Sequence, residues 1–493
     1  MNSVFNSSYK NIFILSLVVF LVTSFFSIGY YHPDEHFQIL EFCNYKLGNS
    51  PASDLPWEFH ERIRPTLIPA FGVLLIKCMN IVGIYNPFIY TLIFRIISSF
   101  LSWLVISNIC LLFISDFSSN NGKKIFLLLN FFLWFIPFIS VRFSSENYSA
   151  IAFLSAIFFI IRFNNDKLYN KPSQLVFAGL LLGFSFFFRF QVGFAIIGLT
   201  LWIVLISKMR WKNIFILMIS GICAIIFCVY LDYWFYGEFE LTPVNYFIAN
   251  IIENKAANWG TSPWWYYFWL ITLHAIPPIS IFLLIFFTLG IYKKPTNIFT
   301  WCIIPFLIGH FIVGHKEIRF LFPMVFCFIY LTAIGINYFI NSLKFMKLGR
   351  LIFMLLAVIN LSLLSFMMFI PAQEAIKCYK FLYDYSSEKE IVLLCKEYSI
   401  YELVGLKVNF YKSENIKCIV LNNDMEVSNY LKENNSESVL ILERKFSSGV
   451  EIIGYNIETI YCPYPQWIIH LNFNNWISRA RIWKIQELRK IKY

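Results

Sequence analysis

The apolar runs of this chain limit its fold more than any motif does. About eleven of them approach the length needed to cross a bilayer, at roughly residues 12–30, 86–115, 125–141, 147–163, 174–188, 192–206, 214–236, 268–291, 298–313, 320–341 and 351–371. Of the 493 residues 58% are hydrophobic and only 14% charged, and the mean hydropathy is +0.63. A water-soluble chain of this size needs far more polar surface. The expected fold is an all-α polytopic membrane protein with about eleven transmembrane helices. The fifth and sixth runs share one stretch broken by Arg189 and Gln191, which reads either as one long helix or as a re-entrant pair. A further apolar stretch, Leu67 to Ile84, is flanked by Pro65, Pro69 and Pro87 and reads as a helix at the interface. The first run is too long for a signal-peptide core and is followed by His32-Pro33-Asp34-Glu35, not by a small-residue cleavage site, so it reads as a retained anchor.

Basic residues orient these runs. With the N-terminus inside, the inside segments carry Lys10; Lys123 and Lys124; Arg162, Lys167 and Lys171; Lys208, Arg210 and Lys212; Lys293 and Lys294; and Lys344, Lys347 and Arg350. The other loops are poorer in Lys and Arg and richer in Trp, Pro and His, as the positive-inside rule expects. The outside then receives residues 31–85, Arg142, Arg189, the 237–267 loop, Gly314 to Arg319, and everything after Pro371. This pattern accounts for most of the basic residues of the first 371 positions without a nucleic-acid partner, despite a net charge of +11.

The division expected is a membrane domain over 1–371 and an outward-facing soluble α/β domain over 372–493. The second part is more polar, with β-prone runs at Ile391–Cys395, Ile416–Leu421 and Val439–Leu442 between helix-like segments, and it holds no catalytic motif. The 11 cysteines show no CxxC and no metal-ligand spacing, so neither zinc nor a disulfide framework is indicated. Cys110, Cys223, Cys228, Cys302 and Cys327 fall in apolar runs and read as small core residues. No internal repeat is visible, which counts against transporters built from duplicated halves.

The chemistry concentrates outside. His32-Pro33-Asp34-Glu35-His36-Phe37-Gln38 follows the first run directly, and ionisable residues at that depth are costly enough to suggest function over a plain polar loop. A carboxylate in a half-dry site is a natural general base. Asp34 is preferred for that role, with Glu35 orienting it. Adjacent residues diverge, so the two are not a proton-sharing dyad, and two carboxylates alone are weak evidence for a divalent metal. His32, His36 and Gln38 are candidates for substrate contact. The second cluster runs from Trp57 to Pro65 and offers Arg62 and Arg64 as bidentate phosphate ligands, unless it is simply an interfacial belt. The third, His315-Lys316-Glu317-Ile318-Arg319, places four ionisable residues between apolar runs, as a cavity for an anion would; a snorkelling helix end is the plainer alternative. Arg189 joins the candidate phosphate ligands, with an internal ion pair equally in keeping, and Arg142 at a helix exit is a further candidate. Trp57, Trp264 and Trp265 could stack on a sugar, although aromatics also mark every bilayer interface. A base, a basic clamp and aromatics on one face suit displacement of a lipid phosphate from a sugar. There is no GxGxxG after a strand and no Walker loop, so the activated donor is expected to be a lipid and no cofactor is indicated.

Four blocks, His32–Gln38, Trp57–Pro65, Asp232–Phe247 with Trp264–Phe268, and His315–Pro323, resemble the dolichyl-phosphate-mannose-dependent mannosyltransferases of GT-C type. The similarity is to the branch of the third GPI mannosyltransferase and the Alg9 and Alg12 type enzymes, and it covers roughly residues 10–340. It implies inverting transfer of a mannose-like sugar from dolichyl or undecaprenyl phosphate to a glycolipid or glycan, on the periplasmic or lumenal side of a bacterial inner membrane or the endoplasmic reticulum. In that family the acidic pair after the first helix is the catalytic centre, which maps onto Asp34 and Glu35. Trp264-Trp265-Tyr266 lacks the histidine that the GPI enzymes carry there. Outside the family, a flippase for lipid-linked sugars or an envelope-polymer ligase would also need a basic cavity.

Overall fold

The computed structural model describes residues 7–165, 171–342, 347–396, 398–403, 405–434, 438–445, 454–479 and 481–491. Lys167 and Lys344, read above as inside-facing, lie outside the described residues. The chain forms two compact units. One comprises Met1–Ser27, Trp57–Val82 and Leu92–Ile370; the other comprises Ile28–Pro56, Gly83–Thr91 and Pro371–Tyr493.

The first unit is helical. Among the described residues six helices are long and apolar enough to cross a membrane: Tyr9–Phe26, Pro87–Asp116, Ser145–Asn164, Trp211–Tyr236, Ile318–Ile340 and Leu351–Phe369. Five apolar helices are shorter: Leu67–Ile81, Pro172–Phe188, Phe190–Ile206, Ile279–Lys293 and Ile298–Ile312. Two expected spans are broken, each at proline, and one open reading is decided. The run at 125–141 becomes helices Asn120–Phe132 and Phe135–Ser140, because Pro137 cannot tolerate a helical carbonyl four residues back, at Leu133. Asn360 repairs the gap, accepting the Trp134 N–H at 3.0 Å and donating to the Phe132 carbonyl at 2.7 Å. The run at 268–291 becomes Tyr266–His274 and Ile279–Lys293 around Pro277 and Pro278. The fifth and sixth runs are two segments, not one long helix: Arg189 is extended, with φ −152° and ψ 103°. Of the cysteines expected in the core, Cys110, Cys228, Cys302 and Cys327 are buried, whereas Cys223 is exposed on its helix.

Small residues set the closest helix crossings, as is usual where lipid removes the hydrophobic drive between helices. A Cβ on Gly290 would lie 1.9 Å from the Leu331 carbonyl oxygen, and one on Gly335 would lie 2.0 Å from that of Phe286. Gly290→Leu should therefore force the Ile279–Lys293 and Val325–Ser342 helices apart and cost about 1–3 kcal/mol or more. A drop in the thermal unfolding midpoint in detergent is the expected reading.

The second unit carries the strands β1 (Ile391–Lys396), β2 (Glu402–Leu403), β3 (Leu406–Lys407), β4 (Ile416–Leu421), β5 (Ser438–Lys445), β6 (Tyr455–Tyr461) and β7 (Arg481–Lys490). Five form a mixed sheet in the order β4-β1-β5-β7-β6, parallel across β4-β1-β5 and antiparallel across β5-β7-β6; β2 and β3 form a separate hairpin. β1 lies inside the parallel part and is accordingly almost continuously apolar. The helix Asp424–Asn434 crosses from β4 to β5 and packs Val427 and Leu431 against Leu394, Val439, Ile441 and Leu488.

Candidate functional site

The acidic pair stands at the start of a helix in the second unit. His32 is extended and its Nδ1 receives the Asp34 N–H at 3.3 Å, while Pro33 occupies the first turn. An imidazole cap followed by proline is a good helix start, since proline lacks an N–H that would go unbonded there anyway. Asp34 and Glu35 fall in that first turn, where the helix dipole favours negative charge. His32 Nδ1 is 3.2 Å from Asp34 Oδ1, and the Tyr31 N–H donates to Glu35 Oε2 at 3.3 Å. The helix then widens into a π turn over His36–Leu40 before Glu41–Lys46. That turn aligns residues five apart. His36 and Glu41 consequently meet, Nε2 to Oε1, at 2.9 Å. Glu41 Oε1 also accepts the backbone N–H groups of Asn409 (2.7 Å) and Phe410 (2.9 Å), and the His36 ring stacks on Tyr411 at 5.6 Å. His36 is 0% exposed and Glu41 1%. His36 therefore holds the acidic helix in place from within, whereas His32, Asp34, Glu35 and Gln38 remain partly exposed.

Arg189, His315 and Arg319 gather in the first unit around two glutamates, with Lys316 next to His315 in the chain. Arg189 Nη1 is 3.2 Å and Arg319 Nη1 3.7 Å from Glu146 Oε1. Arg319 also pairs with Glu317, which meets His315 Nε2 at 2.8 Å; His315 Nδ1 is bonded to the Gly260 carbonyl at 3.0 Å. The hydrogen bond to Glu317 raises the His315 pKa above its ordinary 6.5, against the opposing effect of burial. Both arginines lie against the Phe320 ring. Lys316 directs its ammonium to the carbonyls of His310 (3.2 Å), Phe311 (3.1 Å) and Val313, capping the Ile298–Ile312 helix end. Burial lowers its pKa. The sequence expectation of a phosphate ligand at Lys316 thus meets an ammonium whose three protons already face carbonyls.

Arg62 and Arg64 form another group in the same unit. Arg62 pairs with Glu238 and, at 2.6 Å, with Glu240; Arg64 is 3.5 Å from Glu58. The short helix Thr242–Phe247 ties this group to the Arg189 region. Asn245 donates to Glu240 at 2.9 Å, and the Tyr246 hydroxyl receives Gln191 Nε2 at 2.5 Å. At its start Thr242 Oγ1 donates to Asp232 Oδ2 at 2.6 Å, while Asp232 Oδ1 accepts the Thr66 N–H (2.8 Å) and hydroxyl (2.7 Å). All three residues are fully buried. Trp57 is half-buried beneath Lys255, which bridges Glu61 and Glu253. Trp264 packs edge-on against Phe268 and Phe311 and is 60% exposed; Trp265 is 50% exposed. Arg142 is occupied by the Ser27 carbonyl and hydroxyl at 2.7 and 2.6 Å. Among the described residues no three His, Cys, Asp or Glu side chains converge as a metal site would require.

The acidic helix, the two basic groups and the Asp232 anchor all fall in one segment that matches a known family. The model of the Alg9-like mannosyltransferase family covers residues 11–401. The chain belongs to that family. Within it, this Alg9-like chain is 26% identical over 328 residues to "Mannosyltransferase APTG1" of Arabidopsis thaliana, covering 64% of this chain and 57% of that one. It is 26% identical over 347 residues to GPI mannosyltransferase 3 of Candida albicans, covering 70% and 67%. A probable Dol-P-Man:Man(7)GlcNAc(2)-PP-Dol alpha-1,6-mannosyltransferase of Schizosaccharomyces pombe is 26% identical over 292 residues, covering 59% and 50%. The chain thus spans between half and two thirds of the length of these relatives. Its fold is similar to that of ArnT from Cupriavidus metallidurans, solved with undecaprenyl phosphate, with a TM-score of 0.56 at 9% identity over 98% of each chain.

In this Alg9-like chain three of the carboxylates that hold the clusters, Asp232, Glu146 and Glu41, were not among the candidate site residues of the sequence reading. Asp232 carried a signal, being an acid inside an apolar run, where charges usually find partners. Glu146 and Glu41 carried none, because their partners lie 43 and 368 residues away in sequence.

Proposed function

We propose that this chain transfers a mannose-like sugar from a polyprenyl phosphate, dolichyl or undecaprenyl, to a hydroxyl of a glycolipid or glycan, with inversion. Family membership supports the sugar and the carrier. The observation that carries the donor assignment is the charge of the Glu146 cluster. Arg189, Lys316 and Arg319 bring three positive charges and Glu146 and Glu317 two negative, which leaves one positive, or two with His315 protonated. A lipid-phosphate sugar is a singly charged diester, and the phosphate it releases becomes doubly charged. A buried site with this surplus holds the first and stabilises the second. In the reaction the acceptor oxygen bonds to the anomeric carbon, the bond to the phosphate oxygen breaks on the opposite side, and Asp34 takes the acceptor proton. Glu35 and His32 orient Asp34. Arg319, Arg189 and His315 hold the donor phosphate, with Arg62 and Arg64 as its outer ligands and Lys316 supporting from its capping position. Trp57, Trp264, Trp265 and Gln38 contact the sugar and acceptor.

The same reading takes the eleven apolar runs of the sequence as spans and the Leu67–Ile81 helix as interfacial, with the N-terminus inside and the reaction on the periplasmic or lumenal face. It assigns residues 1–371 to the membrane catalytic domain and 372–493 to an outward domain, in a bacterial inner membrane or the endoplasmic reticulum.

The test is transfer by purified protein in nanodiscs, with polyprenyl-phosphate mannose as donor. Addition of a single hexose supports the reading; transfer of a whole glycan, or movement of intact donor across the bilayer, overturns it. Donor affinity should also depend on pH. The raised His315 pKa means the imidazolium persists above 6.5 and is lost as pH rises through its shifted value. KM for the donor should therefore be lowest below pH 6.5 and climb above the shifted value, and His315→Gln should flatten the profile.

A further inference from the structure

Eleven cysteines scattered along the chain give no paired spacing, yet two of them meet in the sheet. Cys395 on β1 and Cys418 on β4 approach Sγ to Sγ at 3.0 Å. The parallel register sets Cys395 opposite Val420 and Leu393 opposite Cys418, so the two cysteines lie two residues apart on one face of the sheet. Cys395 is fully buried and Cys418 partly exposed. The Ser399 hydroxyl is 3.3 Å from Cys418 Sγ.

We infer that Cys395 and Cys418 form a disulfide by exchange with small disulfides, and that this bond closes the loop which grips the acidic helix. The loop between the two cysteines contains Asn409 and Phe410, whose amides bind Glu41, and Tyr411, on which His36 stacks. The sulfur contact needs to shorten by about 1 Å to reach bonding distance. Exposure sets the order of steps. The partly exposed Cys418 thiolate attacks one sulfur of the small disulfide, forms a mixed disulfide and expels one thiolate. The buried Cys395 then loses its proton to that thiolate and attacks Cys418 Sγ, expelling the second thiol. The small disulfide is reduced to two thiols, and the cysteine pair is oxidised. The hydrogen bond from Cys395 lowers the Cys418 pKa, with Ser399 and Lys412 acting the same way against burial, which favours Cys418 as the attacking group.

Full-length protein in detergent is exposed to glutathione disulfide, its remaining thiols are alkylated, and the digest is analysed by mass. A linked Cys395–Cys418 peptide is the expected product. Cys395→Ser should instead accumulate glutathione on Cys418. Wild-type protein that keeps both thiols alkylatable, carries glutathione on Cys418 without closing, or links either cysteine to Cys378 would overturn the inference. Amide exchange at Asn409 and Phe410 reads the second half: closure should slow it roughly tenfold, and an unchanged rate would overturn the tie between the bond and the loop. Neither readout requires transferase activity, so each stands apart from the proposed reaction.

Discussion

Asp34→Asn is expected to reduce kcat for sugar transfer by roughly 10²–10⁴-fold, the usual contribution of a placed general base. The amide keeps the size and the hydrogen-bonding oxygen of the carboxylate but cannot take a proton from the acceptor hydroxyl. KM for the lipid donor should stay within about a factor of three, because the donor phosphate is assigned to the Glu146 cluster and not to Asp34. Thermal stability should be unchanged, since Asp34 is partly exposed at a helix start. Glu35→Gln should cost less, because Glu35 acts through its neighbour. Kinetics of both variants against varied donor and acceptor decide the matter: near-normal turnover in Asp34→Asn would remove the base, and a larger loss in Glu35→Gln would exchange the two roles.

Asp232→Ala should be strongly destabilising. The carboxylate accepts three hydrogen bonds, from the Thr66 N–H, the Thr66 hydroxyl and the Thr242 hydroxyl, in a fully buried setting. Removing it strands those donors, and each buried donor left without a partner costs about 1–3 kcal/mol. A total of roughly 3–5 kcal/mol is comparable to much of a domain's margin. Asp232→Asn should be far milder, because its oxygen still accepts the Thr66 pair and the Thr242 hydroxyl can rotate to accept from the amide. Thermal unfolding in detergent separates the three proteins; equal midpoints for Ala and Asn would mean that the site tolerates loss of these bonds. Loss of this anchor should also loosen the Thr242–Phe247 helix, which carries Asn245 and Tyr246 between the Arg62 and Arg189 groups.

Much of this site was legible in the sequence, and the reason is cost. An ionisable residue near or within an apolar run is expensive, so His32–Gln38, Arg189 and His315–Arg319 stand out against their surroundings. In the structure Arg189 and Arg319 meet Glu146, Arg319 and His315 meet Glu317, and Lys316 caps a helix end, so these basic residues are engaged in ion pairs and a helix cap. His36 shows the limit. Its position in the motif suggests substrate contact, but a π turn rotates it onto Glu41 and under Tyr411. The broken spans at Leu133 and Pro277-Pro278 follow from prolines visible in the sequence, while their repair by Asn360 does not.

The amino-acid sequence by itself determined the membrane class, the helical first part, the strands near 391, 416 and 439, the acidic and basic motifs, and membership of the Alg9-like mannosyltransferase family. These follow from local quantities: apolar run length, residue alternation, proline positions and contiguous motifs. Tertiary structure alone decided which charges face one another, which residues of the acidic motif are sealed, and that Cys395 and Cys418 touch. Such pairings depend on side chains far apart in the chain meeting in three dimensions. A single sequence carries no term for that, because the cost of an unpaired buried group appears only once the neighbours that could satisfy it are in place.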